Sequence, residues 1–252
     1  MAGYIIFGER GAFEGFSETL KDDMDSSYVP IGPIAELICR KQKKELALAL
    51  QSPDLDLQES ISPLYVAFLC KDKEAVLALL SKNVPPLSEV QFSNVCSGDL
   101  FISCMDEMYK HKQVTPSKAD LFLCYYVNYE KQKNANIIRK IFTMGANPNA
   151  LHTVYTSENR DGFKRPLLFP LVHEGELEIV KAFVEKGANV NVVNENGISL
   201  LRYTAQMFLH FASNEQLQEH KKITRFLLKH NAKFEPPLTF MEKIKFYIFG
   251  RL

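Results

Sequence analysis

"EKGANVNVVNENG", residues 185 to 197, follows directly on "LEIVKAFV", residues 177 to 184. An apolar periodic run gives way at once to glycines 187 and 197 and to asparagines 189, 191, 194 and 196. The run puts Leu177, Val180, Phe183 and Val184 on one helical face, with acidic residues at its start and Lys186 at its end, the polarity a helix favours. Gly187 is free to take the left-handed dihedrals of a helix cap, and Asn and Gly accept positive-φ turn dihedrals most readily, so the chain reverses there. Upstream, "RPLLFPLVHEG", residues 165 to 175, places Pro166 where a first helical turn tolerates it and Gly175 as a stop. The spacing predicts two short antiparallel helices followed by a turn.

Thirty-three residues after Pro166 comes Ser199, and "RPLL" recurs there as "ISLL" before another helical run. Pro166-Leu167, Gly175, Ile179-Val180, Gly187-Ala188-Asn189, Asn191 and Gly197 at that period resemble the ankyrin repeat. "IIRKIFTMGANPNA", residues 137 to 150, repeats "IVKAFVEKGANVNV" with a surplus of nine residues, which falls in "ALHTVYTSENRDGF" and predicts a projecting finger after Asn149. "ITRFLLKHNAKF", residues 223 to 234, repeats it again with a surplus of eleven, which predicts a longer helix pair around "QMFLHFASNEQLQEHKK". "SPLYVAFLCKDKEAVLALLSKNVPP", residues 62 to 86, fits the same template. Two weaker matches are residues 32 to 52 and residues 87 to 112, where "VCSGDLFI" mirrors "VHEGELEI". The family's opening histidine is replaced by Tyr65, Phe169 and Arg202, which puts the local hydrogen bonding it supplies in question.

The resemblance implies an all-α ankyrin-repeat solenoid of about six stacked helix pairs, with degenerate N-terminal repeats and a C-terminal capping helix. The expected layout is an irregular N-terminal cap over 1–29, the ankyrin-repeat array over 30–235 and the capping helix over 236–252. Thr239 and Glu242 form a capping-box pattern at the start of that last helix, which runs to about Phe249 and is nearly apolar all round. It predicts a cap folded back on the last repeat, with attachment to a membrane surface or a partner helix as the competing possibility.

Thirty basic residues balance thirty acidic ones, so no global field draws the 252-residue chain toward nucleic acid or anionic lipid. No run reaches the ~20 apolar residues of a spanning helix. The N-terminal apolar run is four residues with no basic lead-in, unlike a signal peptide. Five widely spaced cysteines, Cys39, Cys70, Cys96, Cys104 and Cys124, form no Cys-x-x-Cys pair and sit in periodic apolar runs, which predicts structural thiols in a reducing compartment. No two histidines stand at the four-residue spacing of a helical zinc site, and His173, at the end of a first helix, is placed to cap carbonyls. No cofactor, metal site or catalytic constellation emerges from these patterns.

The ankyrin family binds other proteins on the surface lined by first helices and turns, so the resemblance implies a non-catalytic, monomeric interaction module with a protein partner. Binding energy at such surfaces concentrates in aromatic and Arg anchors. Val154, Tyr155 and Arg160 in the finger are the leading candidates, with Phe208 and Phe211 of the long pair as a second patch, although core packing is the preferred role for Met207, Phe208 and Phe211. The alternative is a cysteine-based enzyme on the same scaffold, using Cys104 or Cys124. Degenerate repeats, irregular insertions and a Lys-, Asn- and Phe-rich composition resemble the ankyrin effectors that intracellular bacteria deliver into host cells. The expected location is cytoplasmic, or the host cytosol for an effector.

Overall fold

The structure is a computed structural model that describes residues 4–7, 13–17, 27–53, 55–82, 84–96, 98–154, 162–207, 214–239 and 242–243. The chain falls into two compact units, Met1–Lys118 and Ala119–Leu252, and the boundary lies inside helix α7 (Pro116–Tyr129).

The first unit opens with strands β1 (Tyr4–Phe7), β2 (Phe13–Ser17) and β3 (Ser27–Pro30) in an antiparallel sheet of order β2-β1-β3. This corrects the expectation of an irregular segment over residues 1 to 29. "YIIF" and "SYVP" carry the aromatic and β-branched residues that suit strands, and the glycines of "GERGA" suit a hairpin connection. A search for 33-residue helical periodicity passes over that signal.

Three helix pairs follow: α1 (Pro33–Cys39) with α2 (Lys43–Ala49), α3 (Pro63–Leu69) with α4 (Lys73–Leu80), and α5 (Glu89–Val95) with α6 (Asp99–Lys110). Pro33 and Pro63 open α1 and α3, where a missing N–H leaves no hydrogen bond unmade, and Ser88 with Gln91 forms a reciprocal capping box on α5. Helix α1 packs on α3, α3 on α5 and α4 on α6, so each pair buries the apolar face of the next. Leu64, Val66, Val76, Leu79, Phe92, Phe101 and Met108 are fully buried between them, and Phe92 meets Phe101 edge to face at 5.2 Å. The Tyr65 hydroxyl accepts a 3.0 Å bond from Asn94 Nδ2, which ties one repeat to the next. Gly98 departs from its counterpart Gly175. It is the extended N-cap of α6, at φ −91°, because α5 already stops at Val95 with Cys96 in a right-handed cap.

Helix α1 has no side-chain cap from its own N-cap, Gly32. Instead the Glu59 carboxylate reaches across from the loop before α3 and accepts from the amides of Ile34 at 2.7 Å and Ala35 at 3.2 Å. Two orphan donors of the helix's first turn are thereby satisfied, at the end where a negative charge is favoured.

The second unit holds the remainder of α7 with α8 (Ala135–Thr143), a hairpin of β4 (Leu151–Val154) and β5 (Phe163–Pro166), then α9 (Leu168–Glu174) with α10 (Leu177–Glu185) and α11 (Leu200–Met207) with α12 (Asn214–Lys229). The fold class is therefore all-α ankyrin-repeat, with six helix pairs and two short antiparallel sheets among the described residues. Helix α8 packs on α10, α10 on α12 and α9 on α11. The buried face of α10 is Ile179, Val180, Ala182 and Phe183, with Phe183 edge-on to Phe142 at 5.0 Å; Leu177 and Val184 sit at its margins. Pro166 belongs to β5 rather than to the first turn of α9, because it pairs with Leu151 before the helix begins. The surplus of the last repeat goes into the 16-residue α12 and into residues 208–213, which lie outside the described ones.

Gly187 and Gly197 take positive φ as expected, at +89° and +69°, but asparagines 189, 191, 194 and 196 do not. Their side chains do the work instead. Asn147 Oδ1 accepts from the Asn149 amide, Asn189 Oδ1 from Asn191 and Asn194 Oδ1 from Asn196, each bond closing an Asx turn. Asn149 then reaches the next repeat, accepting from the Asn189 amide at 2.7 Å and donating to the Gly187 carbonyl at 3.3 Å. Asn191 does the same one repeat on, with the Lys233 amide at 2.8 Å and the Asn231 carbonyl at 3.4 Å. The alternating asparagines of the quoted stretch stitch one turn to the next.

After α12 the chain returns along α11. Ser199 bonds both ways with Glu235, and Arg202 donates to the Pro236 carbonyl at 2.9 Å and pairs with Glu242 at 2.5 Å. Thr239 and Glu242 form the predicted reciprocal cap, at 2.8 Å and 3.3 Å. Residues 244–252, the body of the predicted final helix, lie outside the described residues. No described helix is long and apolar enough to cross a membrane.

Candidate protein-binding face

The hairpin sits where the repeat gains its nine residues, and its register pairs Leu151 with Pro166, His152 with Arg165, Thr153 with Lys164 and Val154 with Phe163. Lys164 Nζ donates to Thr153 Oγ1 at 2.8 Å across the ladder. Arg165 is the root of the structure. Its guanidinium makes a two-pronged ion pair with Glu195, one bond at 3.0 Å from Nε, and lies over the Phe163 ring at 5.1 Å from the centroid. Glu195 stands in the turn that Asn194 closes by accepting from the amides of Asn196 and Ile198, so the quoted stretch positions the carboxylate that holds the hairpin.

Electrostatics follow from that pairing. The hydrogen bond from Arg165 holds the Glu195 carboxyl below the ordinary carboxylate value. His152, half-buried opposite Arg165, is held below the ordinary histidine value, first by burial and then by the Arg165 charge. Its Nδ1 has no hydrogen-bond partner among the described residues. Beside them, the Tyr203 hydroxyl on α11 bonds to His173 Nδ1 on α9 at 3.0 Å, and Phe169 packs edge-on to Tyr203 at 5.3 Å. His173 is therefore bonded to a neighbouring first helix rather than capping its own. Burial pushes the Tyr203 phenol up, and Arg165 opposes it while Glu195 adds to it, which places all three groups within electrostatic reach of one another. Arg165 over Phe163 on the hairpin, and His173 with Tyr203 on the first helices, supply the aromatic and Arg content on which protein interfaces concentrate their energy.

Of the residues predicted as partner anchors, Val154 is half-buried at the described end of β4, opposite Phe163. Tyr155, Arg160, Phe208 and Phe211 lie outside the described residues. Arg165, Glu195, His173 and Tyr203 escape the sequence reading because each occupies an ordinary repeat position; the hairpin brings Arg165 to Glu195, and the packing of α9 on α11 brings His173 to Tyr203. The signal was the strand alternation of "LHTV" and "FKRP" flanking the insertion.

The cysteines divide. Cys96 and Cys104 are buried, and burial pushes the Cys96 thiol up to about 12. Cys124 on α7 is half-buried, contacts the Leu151 carbonyl at 3.9 Å and is pushed up to about 11, again chiefly by burial, so it is protonated at neutral pH. Cys39 and Cys70 are half-buried with their sulfurs 3.7 Å apart, a juxtaposition the "widely spaced" reading missed. Their residues end the first helices of two successive repeats, in "ICRK" and "LCKD", which was the legible clue. Among the described residues no group of three His, Cys, Asp or Glu side chains could hold a metal ion.

No protein-family model matches the chain, and no curated protein sequence does either. Solved structures do. The ankyrin repeat domain of Bcl-3, a member of the IkappaB protein family, is 16% identical, aligns over 80% of this chain and 87% of its own, and gives a TM-score of 0.54. EF0377, an ankyrin repeat protein, is 18% identical over 82% of this chain and 87% of its own, with a TM-score of 0.26. At these identities the likeness to Bcl-3 speaks to fold, and it agrees with the six helix pairs described above.

Proposed function

We propose that the chain is a non-catalytic protein-interaction module that reads a protein partner with its β4–β5 hairpin and the adjoining first helices. The hairpin carries this proposal: it holds the nine residues surplus to the repeat, and its root is fixed by the Arg165–Glu195 pair, with the Arg165 guanidinium over the Phe163 ring. A tolerated insertion has no need of such anchoring. Val154, Tyr155 and Arg160 are the finger's own contacts, and Phe208 and Phe211 a second patch. Thirty positive charges set against thirty negative ones favour a protein over nucleic acid or an anionic membrane, and the chain acts as a monomer. In its finer form the module is an effector working on host proteins in a host cytosol, a reading supported by the degeneracy of its repeats. The competing enzyme reading loses support from a buried Cys104 and from a Cys124 thiol raised to about 11.

The test is affinity capture from eukaryotic lysate with the full chain and with a variant whose residues 155–161 are replaced by a two-residue turn, matched for melting temperature. A protein retained by the parent and lost by the variant supports the hairpin as the reader. Equal recovery by both moves the contact to the helical face, and recovery of none counts against the interaction reading itself.

A further inference from the structure

Cys39 is the last residue of α1 and Cys70 the C-cap of α3, the neighbouring first helix, and their sulfurs stand 3.7 Å apart. A disulfide needs ~2.05 Å between sulfurs, so closure asks for less than about 2 Å of movement, shared between two half-buried side chains. Cys70 also lines an open depression of about 330 Å³ together with Lys41, Lys43, Lys71 and Lys73. The carboxylates there are committed: Glu74 pairs with Lys43 at 2.6 Å, and Asp72 caps α4 by accepting from the Ala75 amide. The depression therefore presents a thiol among cations. Lys41 and Lys71 hold φ of 56° and 55°, dihedrals that ordinarily call for glycine, and they place a cation at the equivalent turn of each repeat.

We propose that Cys39 and Cys70 are a redox-active dithiol that exchanges with a small, carboxylate-bearing disulfide drawn in by these lysines. Cys70, facing the depression, gives its proton to solvent and attacks: its thiolate forms a bond to one sulfur of the small disulfide, the bond between that compound's two sulfurs breaks, and the departing thiolate takes a proton from water. Cys39 resolves: it gives its proton to solvent, its sulfur bonds to Cys70 Sγ, and the second small thiolate leaves and is protonated. Two protein thiols are oxidised by two electrons to one disulfide, and one small disulfide is reduced to two thiols. The assignment of roles agrees with the electrostatics: the hydrogen bond shared by the two sulfurs lowers the Cys70 thiol and raises Cys39, and at Cys70 burial and the Asp72 charge oppose that lowering while Lys41 aids it.

Oxidised glutathione, which carries several carboxylates, and cystamine, a cationic disulfide, are the two probes, applied to the full chain at low salt with peptide mass mapping over time. Oxidised glutathione is expected to give a Cys39–Cys70 cross-linked peptide pair, and to react about tenfold faster than cystamine after each is corrected for its rate with a free thiol peptide. Raising the salt is expected to shrink the preference, and Lys41→Glu combined with Lys71→Glu to reverse it. Cys39→Ser is expected to stall at glutathione attached to Cys70, and Cys70→Ser to leave Cys39 unmodified. Absence of the cross-linked pair in the unsubstituted chain overturns the dithiol, as does modification of Cys70 no faster than the half-buried Cys124. Equal rates with the two probes overturn the anionic ligand class.

Discussion

Gly187 stands at φ +89° with open space where a Cβ would lie, whereas Gly32 has φ −80° and the Glu59 side chain where its Cβ would be. Alanine at the two positions therefore fails for different reasons. Gly187→Ala is expected to cost about 1 kcal/mol through left-handed dihedrals alone. Gly32→Ala is expected to cost a similar ~1 kcal/mol by pushing Glu59 off the α1 amides, the usual loss of a helix cap. A double-mutant cycle in urea separates the two. The Gly32→Ala cost is expected to shrink in a Glu59→Ala background while that of Gly187→Ala is unchanged, and additivity at Gly32 would refute the cap. Gly187 was legible because a repeat motif demands a glycine just there. The Gly32–Glu59 contact joins residues that no periodicity relates, and the asparagines were legible by type but not by task, because an Asx turn and a positive-φ turn select the same residue.

The hairpin shows what an insertion can and cannot reveal. Its length and position followed from repeat arithmetic, but its strands did not, since four-residue strands give a weak alternation signal and Pro166 reads equally as a helix start or a strand end. Its attachment to the turn at 194–197 is predicted to weaken in acid, in two stages. The His152 pKa is lowered in the folded chain, so the folded state resists a proton that the unfolded state accepts, and stability falls as pH drops below the ordinary value of 6.5. The Glu195 pKa is also lowered, so the stabilisation from Arg165 is full above the ordinary 4.5 and is lost as pH falls through the depressed value. Amide protection factors for residues 151–154 and 163–165, corrected for intrinsic exchange, are expected to drop through both windows. Glu195→Gln is expected to lower protection at neutral pH and to abolish the second stage; a second stage that survives the substitution would place the acid sensitivity elsewhere.

Across the whole molecule, one period and a handful of motif residues were enough for the fold class, because a repeat protein restates its packing rule every thirty-odd residues. The N-terminal sheet was not legible that way, as it belongs to no repeat. What the rule implies energetically is more specific than a fold. Each helix pair leaves an apolar face that only its neighbour covers, so stability is a sum over pairs and interfaces, and about three repeats are needed before the sum turns favourable. The second unit contains that minimum: α7 to α12 form three pairs, and the return segment from Glu235 to Glu242 closes on α11 through Ser199 and Arg202. Residues 115–252, which keep the Thr115 hydroxyl that caps the first turn of α7, are therefore expected to be helical by circular dichroism and to unfold cooperatively in urea. Residues 167–252 retain only α9 to α12 and lose the α8 face against which α10 packs, leaving Phe183 without Phe142. That shorter chain is expected to show a broad, non-cooperative transition with little protection. If it melted as sharply as the longer one, two pairs and their return segment would be sufficient, and the stabilising weight would shift from the stacking of repeats to the C-terminal closure.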